Sequence, residues 1–402
     1  MQEIVEKNKC CGCHACFDIC PKDAISMKED QKGFKYPYID QDKCIDCGLC
    51  KKVCPVLNVK KEKKKDIKAY ACYNKKLNER LESSSGGIFI LLAREILKRK
   101  GVVFGAAFDD QFNVRHIYVE KEKELKKLMK SKYTQSTIGD SYIKAKEFLD
   151  NDRYVLFTGT PCQIEGLKSY LRKDYEKLYT QDIICHGVPS PKAWDKYLKY
   201  QEKINKEKIK DVSFRNKDNG WKGYQMKILF ETKTYSKSHS DDLFMKAFLK
   251  NICLRDSCYN CSFKKKYRVS DITLGDYWGI YDIHPEMNDD KGISVFVASS
   301  KKGQELFDKI KDKLEYKETD LDDAIKYNFS MIKSADHHKN EKKFIDKIDN
   351  MKFNRLITKY IPKQPKKKKG NHKIIELLKK IYHKSIGLLK RIYHKIERML
   401  KK

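Results

Sequence analysis

Two runs of four cysteines, each closed by a proline, constrain this chain more than anything else in it. Cys10, Cys13, Cys16 and Cys20-Pro21 read C-x2-C-x2-C-x3-C-P, and Cys44, Cys47, Cys50 and Cys54-Pro55 repeat that spacing at a constant offset of 34 residues. Eight thiols so placed could serve two zinc ions, but the tight triple followed by Cys-Pro favours two 4Fe-4S clusters. Disulfides fit worse, since nothing marks the chain as secreted. In duplicated runs of this kind the fourth Cys ligates the other cluster. One cluster is therefore expected on Cys10, Cys13, Cys16 and Cys54, and the other on Cys44, Cys47, Cys50 and Cys20. Cys11 lies off the pattern and reads as a packed bystander.

Residues 1–58 thus read as a bacterial two-cluster ferredoxin module, with nine Lys balanced by nine Asp or Glu. A charged linker, 59–66, follows it. No signal peptide is evident, and the longest apolar run, Gly86 to Ala93, is too short to cross a bilayer. A cytoplasmic location is expected, where fifteen Cys imply metal or redox chemistry before a disulfide scaffold. The formal charge of +31 favours anionic partners, although scattered Lys also makes an ordinary solvated surface. From Lys366 onward, fourteen Lys or Arg face only Glu376 and Glu397. Leu377 to Lys384 returns as Leu388 to Lys395 eleven residues on, so Leu, Ile and Tyr share one helical face and basic residues the other. The tail, 363–402, is therefore expected to be an amphipathic helix able to lie on an anionic membrane surface, peripherally on its inner face. A partner helix or a solvated helix fits the same pattern.

Between linker and tail the pattern predicts a mixed α/β region at 67–330 and a helical extension at 331–362. Ser83-Ser84-Ser85-Gly86-Gly87 precedes a helical pattern through Ile96, a start at which hydroxyl caps and free N–H groups can meet a phosphate. Strands are predicted at Gly101 to Ala107, Val114 to Val119, Tyr154 to Phe157, Val212 to Phe214, Tyr224 to Phe230, Ile272 to Leu274 and Ile293 to Ala298. Helices are predicted at Ile164 to Leu171, Pro191 to Asn205, Asp241 to Lys250 and Lys302 to Lys311. Cys162 and Cys185 each stand where an apolar strand gives way to a loop, a common place for ligands in α/β folds.

Ser84-Ser85-Gly86-Gly87, Ser131-Lys132-Tyr133, Thr160-Pro161-Cys162-Gln163, Cys185-His186-Gly187, Cys258-Tyr259-Asn260-Cys261 and Ser270-Asp271-Ile272-Thr273-Leu274-Gly275-Asp276 occur in that order. Over roughly residues 1 to 330 this set resembles the beta-subunit family of deazaflavin-coenzyme (F-420) hydrogenases and dehydrogenases, in its ferredoxin-fused bacterial form. The resemblance implies a third 4Fe-4S cluster on Cys162, Cys185, Cys258 and Cys261, beside FAD or another flavin. Spacing alone leaves cluster, zinc and unligated thiol equally open for these four. The resemblance further implies flavin contacts at Ser85, Gly86, Gly87, Lys132, Tyr133, Asp271, Gly275 and Asp276. Arg215 and Lys217 look family-like and can contact an anionic substrate. Cys253 has no counterpart in the motif, and Cys72 reads as a small buried hydrophobe.

The expected fold is thus α+β or α/β: a ferredoxin module, a flavin and iron-sulfur domain, and an amphipathic helical tail. The expected activity is an oxidoreductase passing electrons from a low-potential donor, such as a ferredoxin or reductase, through clusters and flavin to a small anionic or deazaflavin-like substrate. Fused relatives resemble polysaccharide-assembly proteins, and nothing in the chain identifies the deazaflavin itself. The rival reading is an electron-transfer subunit that supplies a partner enzyme. A specific nucleic-acid binder is not expected, because no aromatic-studded basic strand accompanies the charge.

Overall fold

A computed structural model describes residues 3–64 and 66–362. The predicted amphipathic tail at 363–402 lies outside the described residues.

The cysteine repeat is also a backbone repeat. Gly12 and His14 are left-handed, at φ 68° and 66°, and Asp46 and Gly48 are left-handed at the equivalent positions 34 residues on. Each pair leads into one turn of helix, Ala15–Asp18 and Leu49–Lys52. Between the two runs, β1 (Ile25–Glu29) and β2 (Lys35–Ile39) form an antiparallel hairpin.

The rest of the described chain is built on an eight-stranded mixed sheet. Its strands are β3 (Lys68–Asn74), β4 (Val102–Phe108), β5 (Val114–Val119), β6 (Val155–Gly159), β7 (Leu178–Ile183), β11 (Ile272–Asp276), β12 (Ser294–Ala298) and β13 (Leu314–Thr319). The intervening β8 (Ile209–Asn216), β9 (Gln225–Phe230) and β10 (Thr234–Ser238) form a separate antiparallel sheet. The large sheet runs β13-β3-β12-β11-β7-β6-β4-β5, with β11, β7, β6 and β4 mutually parallel. Parallel strands are buried on both faces, which is why Val155-Leu156-Phe157 is an unbroken apolar run.

Leu156, Tyr179, Leu274 and Phe296 meet the helices Phe89–Lys98 and Lys301–Ile310 on one face. Phe104 and Phe157 on the other meet Ile164 and Leu167 of the helix Pro161–Leu171. Thr160 and Gln163 start that helix: the Thr160 N–H donates to Gln163 Oε1 at 2.9 Å, and Pro161 fills its first turn. The small sheet packs Phe214, Met226 and Ile228 against Trp194, Tyr197, Phe244 and Phe248, with Phe353 and Leu356 closing the core.

The N-terminal module is seated directly on this body, and residues 1–361 form one compact unit. Ala15 and Val53 share a core with Ile164 and Leu167. Gly166 allows the closest approach, since a Cβ there would lie 2.8 Å from Cys13 Cβ. Lys32, in the β1–β2 turn, pairs with Asp256 at 2.5 Å and Glu341 at 2.7 Å.

Two local expectations are corrected. The helix after Ser83-Ser84-Ser85 begins only at Phe89, and no hydroxyl caps it. Ser83 Oγ donates to Glu79 O and Ser85 Oγ to Ile293 O, so these serines brace the turn rather than open a helix start. Strands β1, β2 and β3 went unpredicted, as did β10 and β13. The last two lie at sheet edges and carry polar, exposed residues such as Lys237, Glu315 and Lys317, so an apolar run never marks them.

Candidate functional site

The N-terminal thiols gather around two separate cavities. Cys10, Cys13, Cys16 and Cys54 line one; Cys20, Cys44, Cys47 and Cys50 line the other. This grouping exchanges the fourth cysteine of each run. The first group sits toward the α/β body, with Cys13 against Gly166, whereas Cys47 of the second is exposed. Apolar side chains, Ile4 and Val56 at the first and Ile25 and Ile39 at the second, complete the walls. Such a setting suits a cluster whose charge must be held away from water.

The parallel strands place a third group. The chain beyond the carboxyl ends of β6, β7 and β11 opens into a cavity of about 940 Å³ lined by Cys162, Cys185, Cys258 and Cys261. Ligands in α/β sheets bind at this end of the strands. Cys162 opens the helix after β6, Cys185 follows β7, and Cys258 closes a short turn, Asp256–Cys258. Burial pushes the Cys185 thiol up to about 11, and it raises Cys258 and Cys261 as well. Cys162 is raised chiefly by its contact with the Cys11 thiol and then by burial. Four half-buried thiols facing one another are costly to ionise unless a metal core takes up their charge.

Donors and cations already surround them. The Val188 N–H donates to Cys258 Sγ at 3.5 Å, and Thr160 Oγ1 lies 3.1 Å from Cys162 Sγ. Lys264 Nζ donates to the carbonyls of Cys185 and, at 2.7 Å, Ser330. Arg268, 3 % exposed, pairs with Asp182 at 3.1 Å and donates to Ile183 O. Two fixed cations beside four thiols fit a negatively charged thiolate cluster. Among the described residues no three His, Cys, Asp or Glu side chains close around a point fit for one ion; the thiols surround cavities instead.

The same cavity extends past the thiols to an aromatic and basic wall. Asp276 accepts from Arg215 at 2.9 Å and from Trp221 Nε1 at 2.7 Å. The Arg215 guanidinium lies 4.2 Å from the Tyr224 ring and 5.4 Å from that of Trp278, which stacks on Trp221. Arg215 Nε and Gln181 Oε1 are buried and lack partners among the described residues, so a donor and an acceptor remain for a ligand. A flavin, with a polar edge and a flat face, fits a cavity of this size lined by Tyr133, Trp278 and these two groups.

Of the expected flavin contacts, Ser85, Gly87, Lys132, Tyr133, Gly275 and Asp276 line the cavity. Gly86 and Asp271 do not. Gly86 packs under β12, where a Cβ would lie 2.6 Å from Cys72 O. Asp271 stands at the opposite end of β11 and accepts from Thr180 N–H, Thr180 Oγ1 and Ser300 Oγ, tying β7 to the helix Lys301–Ile310. Lys217 is also withdrawn as an anion contact: its ammonium donates to Arg80 O, Ser85 O and Lys291 O, which use all three of its protons. Cys253 and Cys72 are fully buried among apolar neighbours. Arg255, Lys264, Arg268 and Trp278 went unremarked in the sequence, although three of them flank Cys258 and Cys261 as a visible basic cluster.

Lys132 titrates in an unusual range. Burial in the cavity wall, reinforced by Lys130, pushes its amine down to about 7. An unfolded chain keeps the lysine proton to about pH 10, so between those values the unfolded state binds more protons and stability rises with pH. Lys132→Met is therefore expected to stabilise most at and below pH 7. That advantage should shrink as the pH approaches 10, measured as the difference in unfolding midpoint between the two proteins.

Fold and site together define an iron-sulfur protein with a ferredoxin module seated on a mixed α/β domain. Residues 9–58 match the 4Fe-4S dicluster domain, and residues 152–324 match the C terminus of the coenzyme F420 hydrogenase/dehydrogenase beta subunit. The chain is 26 % identical over 192 residues to a coenzyme F420-dependent sulfite reductase of Methanocaldococcus jannaschii, a match covering 47 % of this chain and 29 % of that one. It is 43 % identical over 35 residues to an uncharacterized ferredoxin of the same organism, covering 9 % of this chain and 46 % of the other. The chain thus spans less than half the length of these curated relatives. Among solved structures, the F420-reducing [NiFe] hydrogenase complex of Methanosarcina barkeri has a similar chain, at 18 % identity and TM-score 0.45, covering 70 % of this chain and 92 % of that one. Among the described residues no helix is long and apolar enough to cross a membrane.

Proposed function

We propose that this chain is an iron-sulfur flavoprotein that takes electrons singly from a low-potential donor and uses them to reduce, or to oxidise, a small anionic substrate. The observation that supports this most is the shared cavity: four convergent thiols and an aromatic, basic pocket line one space, with the first N-terminal thiol group next to it. Clusters carry single electrons, and a flavin, stable at three oxidation levels, converts them to the two-electron transfers that organic substrates need.

The chain's own residues do the rest. Cys47 at the surface marks where a donor meets the second thiol group. Cys13, against the helix that carries Cys162, brings the first group up to the inner one. Arg215, held by Asp276, presents a permanent cation to negative charge entering the cavity. Lys132, half-buried in the wall of the same cavity and titrating near 7, can hold a proton at Nζ for an anion or for a group that must be protonated. Tyr133, Tyr224 and Trp278 exclude water around these charges and so strengthen them.

Flavin analysis of protein purified without oxygen tests the reading. About one flavin per chain is expected, released by denaturation, and dithionite-reduced viologen should bleach it through the clusters. Protein that carries iron but no flavin, and turns over no small molecule, belongs instead to the electron-transfer subunit reading.

A further inference from the structure

We propose that Arg255 is a positioning residue that raises the reduction potential of the first thiol site, on Cys10, Cys13, Cys16 and Cys54, and so draws electrons inward from the second site on Cys20, Cys44, Cys47 and Cys50. This rests on reading both groups as 4Fe-4S sites.

Arg255 is 1 % exposed and belongs to the loop that carries the inner thiols. Its N–H donates to Val188 O at 3.0 Å, and its carbonyl accepts from the Cys258 N–H at 2.9 Å. The side chain leaves that loop and enters the N-terminal module. There Nε donates to Cys10 O at 2.7 Å, and Nη2 donates to Lys35 O at 3.0 Å and lies 3.6 Å from Cys10 Sγ. Nη1 donates to Gln135 Oε1 at 2.8 Å. The guanidinium also sits 4.1 Å from the Tyr36 ring. Gly12 makes room for it, since a Cβ there would lie 2.8 Å from Nη1.

What distinguishes this cation is its company. Arg215 and Arg268 are paired with Asp276 and Asp182, and Arg80 with Asp289. The hydrogen-bond partners of Arg255 among the described residues are carbonyls, an amide and a thiol, with no carboxylate. A buried cation is stable only with a compensating anion. The group facing it is Cys10, whose site gains negative charge on ligation and more on reduction. A fixed positive charge and an N–H aimed at a ligand sulfur both favour the reduced form. At the second site the sign is opposite: Asp46 Oδ1 stands 3.9 Å from Cys44 Sγ. Water around Cys47 acts against this difference, so each site is best compared with itself. The step is one electron, lost by the second site and gained by the first, with no proton moved and the guanidinium charged throughout.

Arg255→Gln in the full chain, titrated under EPR, tests this. The first-site potential should fall enough to shift the partition of the electron at least tenfold toward the second site, about 59 mV for a one-electron couple. The second site should keep its potential, and Arg255→Lys, which keeps the charge without the fork, should recover part of the shift. If Arg255→Gln fails to retain iron, Gln135→Glu sets a carboxylate on Nη1 without removing the guanidinium, and the same site should fall in potential. Full iron content with unchanged potentials in either variant overturns the proposal. Wild-type protein without iron at these cysteines overturns the cluster reading as well.

Discussion

Changing Cys258 to Ser is expected to leave a protein that accepts electrons and cannot deliver them. The substitution removes one inner thiol and leaves the eight N-terminal ligands alone, so the ferredoxin module should assemble and bleach promptly on mixing with a reduced donor. The hydrogen bonds that hold the cavity wall of Tyr133, Arg215 and Asp276 run among those residues and do not use Cys258, so a bound flavin should be retained. Its reduction should slow by at least roughly 10- to 100-fold, the loss that removing even an outer-shell partner of a metal site brings. Rapid-mixing absorbance separates the two phases. Flavin reduction at the wild-type rate, with the inner site shown empty of iron, would mean that electrons bypass these four thiols.

The second large effect is expected at Arg215. Its guanidinium is 5 % exposed and its partner Asp276 is 16 % exposed, so the pair is held largely out of water. Arg215→Met would leave Asp276 charged and supported only by Trp221 Nε1. Removing one partner of a buried pair costs about 3–5 kcal/mol, while replacing both together is often close to neutral. The unfolding midpoint of Arg215→Met should therefore fall clearly, and Arg215→Met with Asp276→Asn should recover most of the loss. A double variant no more stable than the single one would show that packing against Tyr224 and Trp278 matters more than the charge.

What could be read from the chain follows from how locally each feature is encoded. A cluster ligand is bound to its spacing, because three thiols can wrap one core only if the residues between them make a fixed turn. The repeat in cysteines was for that reason also a repeat in backbone conformation, down to Gly12 and Asp46. Buried parallel strands were legible because both faces demand apolar side chains. Asp271 and Asp276, in contrast, belong to one motif, yet five steps along an extended strand separate them by about 16 Å. Only the carboxyl end of β11 faces the cavity, so Asp276 lines it while Asp271 braces the far side. A motif does not say which of its ends meets the ligand. Lys217 misled for a related reason: its charge was visible, but the three carbonyls that hold it come from distant segments. Arg255 is the extreme case, since it meets Cys10 across 245 residues of sequence.

Elemental analysis of the wild-type protein, prepared without oxygen, tests the three-site arrangement most directly. Three 4Fe-4S sites require about twelve irons and about twelve acid-labile sulfides per chain, with zinc absent. About eight of each, or zinc in place of iron at Cys162, Cys185, Cys258 and Cys261, would contradict the inner site and with it the route from the ferredoxin module to the cavity.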